Sequence, residues 1–295
     1  MRITHFRSVA DEAPWAGIVR DDGTVINVAE AGWLAGFDIP PNISDILAQW
    51  EWEDKLESIA RFAEESGEGI YDRSDVDRLA PILRPDKIIC VGLNYADHAA
   101  EGGRDPPETP VLFSKFPNTI IGPDENISWD PTVTEKVDYE AELVVVIGEE
   151  VRDIEPEEAW DAIAGYTVGN DVSARDIQHG DGQWIRGKSL DTFAPLGPEL
   201  VTTDAVDDPH DLDIYAEVNG ERLQDSSTEH LIFGVDFLIS FISKTSTLFP
   251  GDVLFTGTPP GVGVYREPPV LLEEGDEVTI GVEELGTITN ECSYR

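Results

Sequence analysis

The chain has 295 residues, enough for one large domain or two around a substantial core, and its 40% apolar content excludes a disordered polypeptide. Sixty Asp and Glu against twenty Lys and Arg leave a formal charge of −40, which excludes nucleic acid and anionic membranes as natural partners. Such a surface repels itself at low salt and is tolerated where counterions screen it, so the charge reads as adaptation to salt, as in halophilic proteins, and not as a binding site.

The first residues, Met1-Arg2-Ile3-Thr4-His5-Phe6, lack the apolar core of a signal peptide. Residues 16–20 and 24–28 alternate apolar and polar positions around Asp21-Asp22-Gly23, which predicts strand, tight turn, strand. A helical region is expected over residues 43–65, with Ile46, Leu47, Trp50, Leu56, Ile59 and Phe62 on its apolar face. Ser66-Gly67-Glu68-Gly69, with Pro81 and Pro85 beyond it, marks a boundary. Residues 1–80 are therefore expected to form a small N-terminal, β-rich domain, and residues 81–295 the main one.

From Lys87 onward the pattern is rich in strands: Ile88-Ile89-Cys90-Val91, Val111-Leu112-Phe113, the apolar run from Ala141, and Gly165-Tyr166-Thr167-Val168-Gly169. Helices are expected at residues 156–164, where Pro156 suits the first helical position, and at residues 231–245. The longest apolar stretch, residues 231–242, is too short to span a bilayer and contains Asp236. Pro250-Gly251-Asp252 turns the chain into Val253-Leu254-Phe255, and a Glu274-Gly275-Asp276 turn precedes a last hairpin. Strand runs with occasional helices predict an α+β fold rather than a doubly wound one. Cys90 and Cys292 give neither a disulfide framework nor metal spacing. A cytoplasmic location is the expectation.

Glu140 and Glu142 stand at the mouth of Leu143-Val144-Val145-Val146-Ile147. Side chains at i and i+2 of a strand share a face, so two like charges meet there, which is costly without a cation between them. A divalent metal with oxygen ligands answers that cost. A chance Glu-x-Glu in a glutamate-rich chain, as at Glu51 and Glu53, is the alternative. Asp171 follows the strand of residues 165–169, where it either supplies a third carboxylate or caps a helix that begins near Ser173. Three carboxylates suit Mg²⁺ or Mn²⁺, and no histidine or cysteine cluster competes for a softer metal.

Seven motifs then fall in order. They are Val91-Gly92-Leu93-Asn94-Tyr95-Ala96-Asp97-His98-Ala99-Ala100-Glu101, Asp138-Tyr139-Glu140-Ala141-Glu142-Leu143, Asn170-Asp171-Val172-Ser173-Ala174-Arg175-Asp176, Gly187-Lys188-Ser189, Pro195-Leu196-Gly197-Pro198, Val218-Asn219-Gly220 and Thr256-Gly257-Thr258-Pro259. Together they resemble the fumarylacetoacetate hydrolase superfamily, in its acylpyruvase and 2-hydroxyhepta-2,4-diene-1,7-dioate isomerase-like branch. The resemblance implies a layered, curled mixed β-sheet core (a β-roll or sandwich), preceded by a small β-rich domain and assembled as a homodimer. It implies Mg²⁺ or Mn²⁺ on Glu140, Glu142 and Asp171. It also implies small 2-oxo or β-diketo acid substrates that chelate the metal, which as a Lewis acid stabilises an enolate.

His98 and Glu101 share one face of a short helix. The resemblance implies that they belong to a mobile lid, with His98 as general base on water and Glu101 orienting it, and Gly102-Gly103 offers a hinge. Lys188, one of few lysines in an acidic chain, reads as electrostatic support for the carboxylates or for substrate oxygens, with a structural ion pair as the alternative. The resemblance further implies Arg175 and Gln178 on substrate or a catalytic water, and Thr258 with the Gly257 backbone on the substrate carboxylate. Tyr95 reads as lid packing, and His5, His179, His210 and His230 as surface or core histidines.

The expected activity is C–C bond hydrolysis of an acylpyruvate- or fumarylacetoacetate-type acid, favoured by the intact His-x-x-Glu pair. The alternatives are isomerisation of 2-hydroxyhepta-2,4-diene-1,7-dioate in aromatic catabolism, decarboxylation of an oxaloacetate-like acid, dehydration of 2-keto-3-deoxy sugar acids, and a metal-stabilised scaffold without turnover.

Overall fold

The computed structural model describes residues 1–8, 11–101, 103 and 105–295, so Gly102 of the expected hinge lies outside the described residues. The first hairpin forms as expected: Asp11–Val19 pairs antiparallel with Thr24–Asn27. Asn27 then caps a helix, Val28–Ala35, that the apolar spacing did not announce; its side chain accepts the Glu30 N–H at 3.1 Å.

The helical region near residue 50 is two helices, Ile43–Leu47 and Trp52–Ser66, because Glu51 adopts a left-handed conformation with φ 54°. Trp50 therefore falls in a turn and is 81% exposed, while Leu56 and Ile59 are buried as expected. Pro156 opens a shorter 3₁₀ helix, Pro156–Ala162, and Ile163 and Ala164 already belong to the strand Ile163–Asn170. There β-branched Ile163 pairs with Ile147. The helix expected at residues 231–245 spans only Val235–Ser243, after a 3₁₀ turn at Thr228–His230.

The fold is α+β. Its main sheet has 12 strands, with Ala141–Ile147 near the centre between Ile163–Asn170 and Val253–Phe255. Beyond Val253–Phe255 the sheet continues through parallel Ile88–Gly92 to the edge strand Val111–Lys115. On the other side Ala194–Thr202 pairs with Arg2–Ser8, so the N-terminal strands extend the same sheet. A boundary at residue 80 is accordingly a proposal about folding units, since the hydrogen-bonded ladder runs through it. A second sheet of 5 strands covers one face.

Alternation along Ala141–Ile147 feeds two cores. Leu143, Val145 and Ile147 pack with Ile214, Ala216, Ile280 and Ile288 of the second sheet. Val144 and Val146 pack with Ile3, Ile46, Leu56 and Ile59 of the N-terminal segment. A strand covered on both faces must be apolar throughout, which explains the unbroken run; each such side chain contributes roughly 1.5–3 kcal/mol of burial. Among the described residues no helix is long and apolar enough to cross a membrane.

Candidate active site and metal centre

The pairing of two central strands assembles the acidic group. Ala141 lies opposite Asn170, the Asn170 Oδ1 accepts the Glu140 N–H at 3.0 Å, and the Asp171 N–H donates to the Glu140 carbonyl at 3.0 Å. Asp171 is thereby fixed beside Glu140, and Glu142 follows one alternation further on. Carboxylate oxygens of Glu140, Glu142 and Asp171 lie within 4.8 Å of one another, and all three side chains are buried. Asp171 does not cap a helix: the next one, Arg175–Asp181, begins after Ala174, and Ser173 sits in a short strand.

Three cations surround the acids. Lys188, at the end of the helix Ile185–Lys188, donates to Glu140 Oε2 at 2.7 Å and to Asp171 Oδ2 at 2.6 Å. Arg175 Nη1 lies 2.7 Å from Glu140 Oε1. Lys115, fully buried at the end of Val111–Lys115, donates to Asp171 Oδ1 and, at 3.0 Å, to the Val172 carbonyl. Glu142 instead accepts the Gly257 N–H at 2.7 Å. The Gly257 amide, expected on the substrate carboxylate, thus meets an acidic side chain here, and its φ of 108° is open to glycine alone at little cost.

The charges of these groups follow from their neighbours. Burial alone would raise the Glu140 carboxyl, but Lys188 and Arg175 outweigh it and hold it well below the usual carboxylate range. Burial, and then the Asp171 and Glu140 carboxylates, push Glu142 well above that range. Burial opposes the Lys188 charge too, yet Asp171 and Glu140 leave its ammonium more basic than usual; at Lys115 burial wins over Asp171 and lowers it. Glu142 is thus the acid without a cation of its own. The donor set of three carboxylate oxygens fits a hard dication, which would relieve that imbalance, so these residues fit Mg²⁺ or Mn²⁺.

A small cavity of about 50 Å³ lies over the acids. It is lined by the expected His98, Glu140, Glu142, Arg175, Gln178, Lys188 and Thr258, and by Phe113, His179, Trp184 and Tyr265, which sequence reasoning did not place there. A wider cleft of about 960 Å³, near the helix Ile43–Leu47 and Glu149, contains none of these groups.

One wall is the helix Ala96–Glu101, on which His98 and Glu101 do share a face. His98 Nδ1 lies 3.3 Å from Glu101 Oε2, which leaves Nε2 for the cavity. Glu101 also accepts the Gly261 N–H at 3.0 Å. Tyr95 is buried, and among the described residues its hydroxyl has no hydrogen-bond partner. On the opposite side Gln224 Nε2 donates to Thr258 Oγ1 at 2.9 Å and its Oε1 accepts the Ala141 N–H at 2.9 Å, so the Thr258 hydroxyl keeps its own proton for donation.

Lys115, Asp138 and Gln224 are site residues that the sequence reading missed. The scarcity that singled out Lys188 applies equally to Lys115, since the chain has few lysines. Nothing local marks Gln224, whose partners lie 34 and 83 residues away.

Comparison with known proteins gives a consistent outcome. The family described as fumarylacetoacetate (FAA) hydrolase C-terminal matches residues 87–293. A Bos taurus protein named oxaloacetate tautomerase FAHD2B, mitochondrial, is 45% identical over 295 residues, covering 98% of this chain and 91% of that protein. The solved structure of fumarylacetoacetate hydrolase from psychrophilic Exiguobacterium antarcticum superposes with a TM-score of 0.85 at 35% identity, covering 100% of both chains. That of 2-hydroxyhepta-2,4-diene-1,7-dioate isomerase from Mycobacterium marinum gives 0.77 at 34% identity, covering 100% of this chain and 99% of that one.

Proposed function

The chain belongs to the fumarylacetoacetate hydrolase family, and on that premise we propose that it is a divalent-metal-dependent enzyme that shifts a proton on a small 2-oxo acid. The reaction is interconversion of the enol and keto forms of an oxaloacetate-like dicarboxylate. Two considerations move the reading from C–C hydrolysis, expected from the lid pair, to proton transfer. A relative that matches this chain over nearly its whole length is named a tautomerase. The second is that one cavity is lined by a base, His98, and by the cations Lys188 and Arg175, which is what a proton shift on an enolisable acid requires.

The observation that carries the proposal is that His98, Lys188 and Arg175 line one small cavity over the acids. Mg²⁺ or Mn²⁺ on Glu140, Glu142 and Asp171 would supply a Lewis acid for the carboxylate and 2-oxo oxygens of the substrate. Arg175 and the Thr258 hydroxyl donate to substrate oxygens and fix their orientation. Lys188 places its ammonium where negative charge grows on the 2-oxo oxygen as the neighbouring carbon loses its proton. In the keto-to-enol direction His98 takes that proton at Nε2 and delivers it to the 2-oxo oxygen, and the reverse path runs through the same imidazole, while Glu101 holds Nδ1–H and steadies the transient imidazolium. With the lid closed, bulk water is kept from the carbanionic carbon.

Hydrolysis is the second reading, and the His98–Glu101 pair favours it, because the same Nε2 can activate a water. A paired assay at molar KCl with Mg²⁺ or Mn²⁺ distinguishes the two. Enol–keto exchange of oxaloacetate is followed by ultraviolet absorbance, and pyruvate release from acylpyruvates by coupled reduction. Fast exchange with little pyruvate is the expected result; pyruvate release outpacing exchange would overturn it in favour of the hydrolase.

A further inference from the structure

Asp138 stands at the junction of the two elements that close the cavity. It is fully buried, and its carboxylate accepts four hydrogen bonds. Oδ1 takes the backbone N–H of Tyr139 at 2.9 Å and of Gly263 at 2.8 Å. Oδ2 takes the Val264 N–H at 3.0 Å and Arg175 Nε at 2.8 Å. The Tyr139 bond is local. The others tie the first residue of the helix Arg175–Asp181 to the 3₁₀ turn Gly263–Tyr265.

Resting on the proton-transfer reading above, we infer that Asp138 is a positioning residue: it aims Arg175 at the substrate and links that aim to closure of the cavity. A guanidinium offers five N–H groups in a rigid plane, so fixing two of its nitrogens fixes the third. Nε is held by Asp138, and Nη1 by Glu140 Oε1 at 2.7 Å and Gln178 Oε1 at 3.1 Å. Nη2 is buried, and among the described residues it has no hydrogen-bond partner. It is the donor left for a substrate oxygen, and Asp138 decides where it points.

The same carboxylate anchors the turn that meets the lid. Gly261, just before that turn, donates to Glu101, and the ring of Tyr265, within it, lies 6.2 Å from that of His98. The turn fits closely around the carboxylate: a Cβ on Gly263 would lie 2.7 Å from Asp138 Oδ1 and 1.9 Å from the Val270 carbonyl. Loss of the Asp138 charge therefore loosens Arg175 and the lid contact together.

The test is a double-mutant cycle of Asp138→Asn and Arg175→Lys, read by calorimetric titration of the Mn²⁺-loaded protein with oxalate, a non-reacting chelating diacid. Asp138→Asn is expected to weaken oxalate binding about tenfold or more, since it removes a charge-assisted bond to the guanidinium. It should change little in the Arg175→Lys background, where no planar fork remains to be aimed. Equal losses in both backgrounds would overturn the inference and leave Asp138 as a loop anchor. Should Asp138→Asn fail to fold, the Nε–H resonance of Arg175 in the native protein, identified by its loss in Arg175→Lys, still decides. Slow solvent exchange supports the inference, and fast exchange overturns it. A native protein that binds oxalate but does not tautomerise oxaloacetate would refute the proposed reaction while leaving the cycle valid.

Discussion

Glu101, on the lid helix, accepts the backbone N–H of Gly261 at 3.0 Å across 160 residues of sequence, while its other task is to hold His98. One carboxylate thus connects the His98 imidazole, the proposed base, to the turn that borders the cavity. Glu101→Gln keeps an acceptor for Gly261 but gives up the charge that favours the imidazolium. We expect turnover to fall about 10- to 100-fold with little change in KM. His98→Ala should lose at least as much, and the double variant no more than His98→Ala alone. Steady-state kinetics checks this; additive losses would mean that the two residues act separately.

The acidic group makes metal binding a prediction with its own readout. Asp171→Asn preserves shape but removes a carboxylate from the set, and Mn²⁺ affinity measured by calorimetry should fall more than about 100-fold. Chelation of the native protein should abolish turnover without unfolding it, because each core is built mainly of apolar side chains independent of the ion. Unfolding on chelation would instead favour a structural metal.

Lys115 tests how the buried charges balance. Its ammonium lies against Asp171 and the Val172 carbonyl with no exposure to solvent. Lys115→Met leaves the carboxylates short of one cation, and breaking such a buried pair costs about 3–5 kcal/mol. The metal-free variant should therefore melt well below the native protein, and saturating Mn²⁺ should raise its Tm by more than it raises that of the native chain. Equal metal-induced shifts would show that Lys115 is electrostatically separate from the acids.

His5 predicts a pH dependence remote from the site. It is buried in the strand Arg2–Ser8, with Nδ1 3.3 Å from the Ala80 carbonyl and Nε2 accepting the Ile43 N–H at 3.1 Å. Burial, only partly offset by the backbone carbonyls of Ala80 and Pro81, lowers its pKa from 6.5 to about 4. The folded chain therefore refuses a proton that the unfolded chain accepts. Its contribution is fully present above pH 6.5 and is lost as pH falls toward 4, a difference of order ~3 kcal/mol. Denaturant unfolding at pH 7.5 and pH 5 should show a steeper loss for the native chain than for His5→Gln. The comparison cancels the many carboxylates that also titrate there; identical slopes would refute it.

Much of the site was legible because its signals are local or short-range. The strand period brought Glu140 and Glu142 together and the helical turn His98 and Glu101; the first pair does meet, although Glu140 stands just before the strand Ala141–Ile147, and the second pair lies on one short helix. The motif order carried the family, and the strand runs with occasional helices carried the α+β architecture. Trp50 was misplaced because a helical period counts apolar residues but does not register the left-handed Glu51 that ends it.

What the sequence by itself determined, then, is the inventory: an acidic chain, three carboxylates at the ends of paired strands, an imidazole with its carboxylate, and one marked lysine. What only the tertiary structure decided is how each charge is answered. Lys115 reaches Asp171 across 56 residues, Asp138 meets Arg175 across 37, and Gly257 turns its amide to Glu142 across 115. Secondary-structure periods describe neighbours within a turn or two, whereas a buried charge must find its counter-charge wherever folding brings one, because the interior offers no water to do so instead.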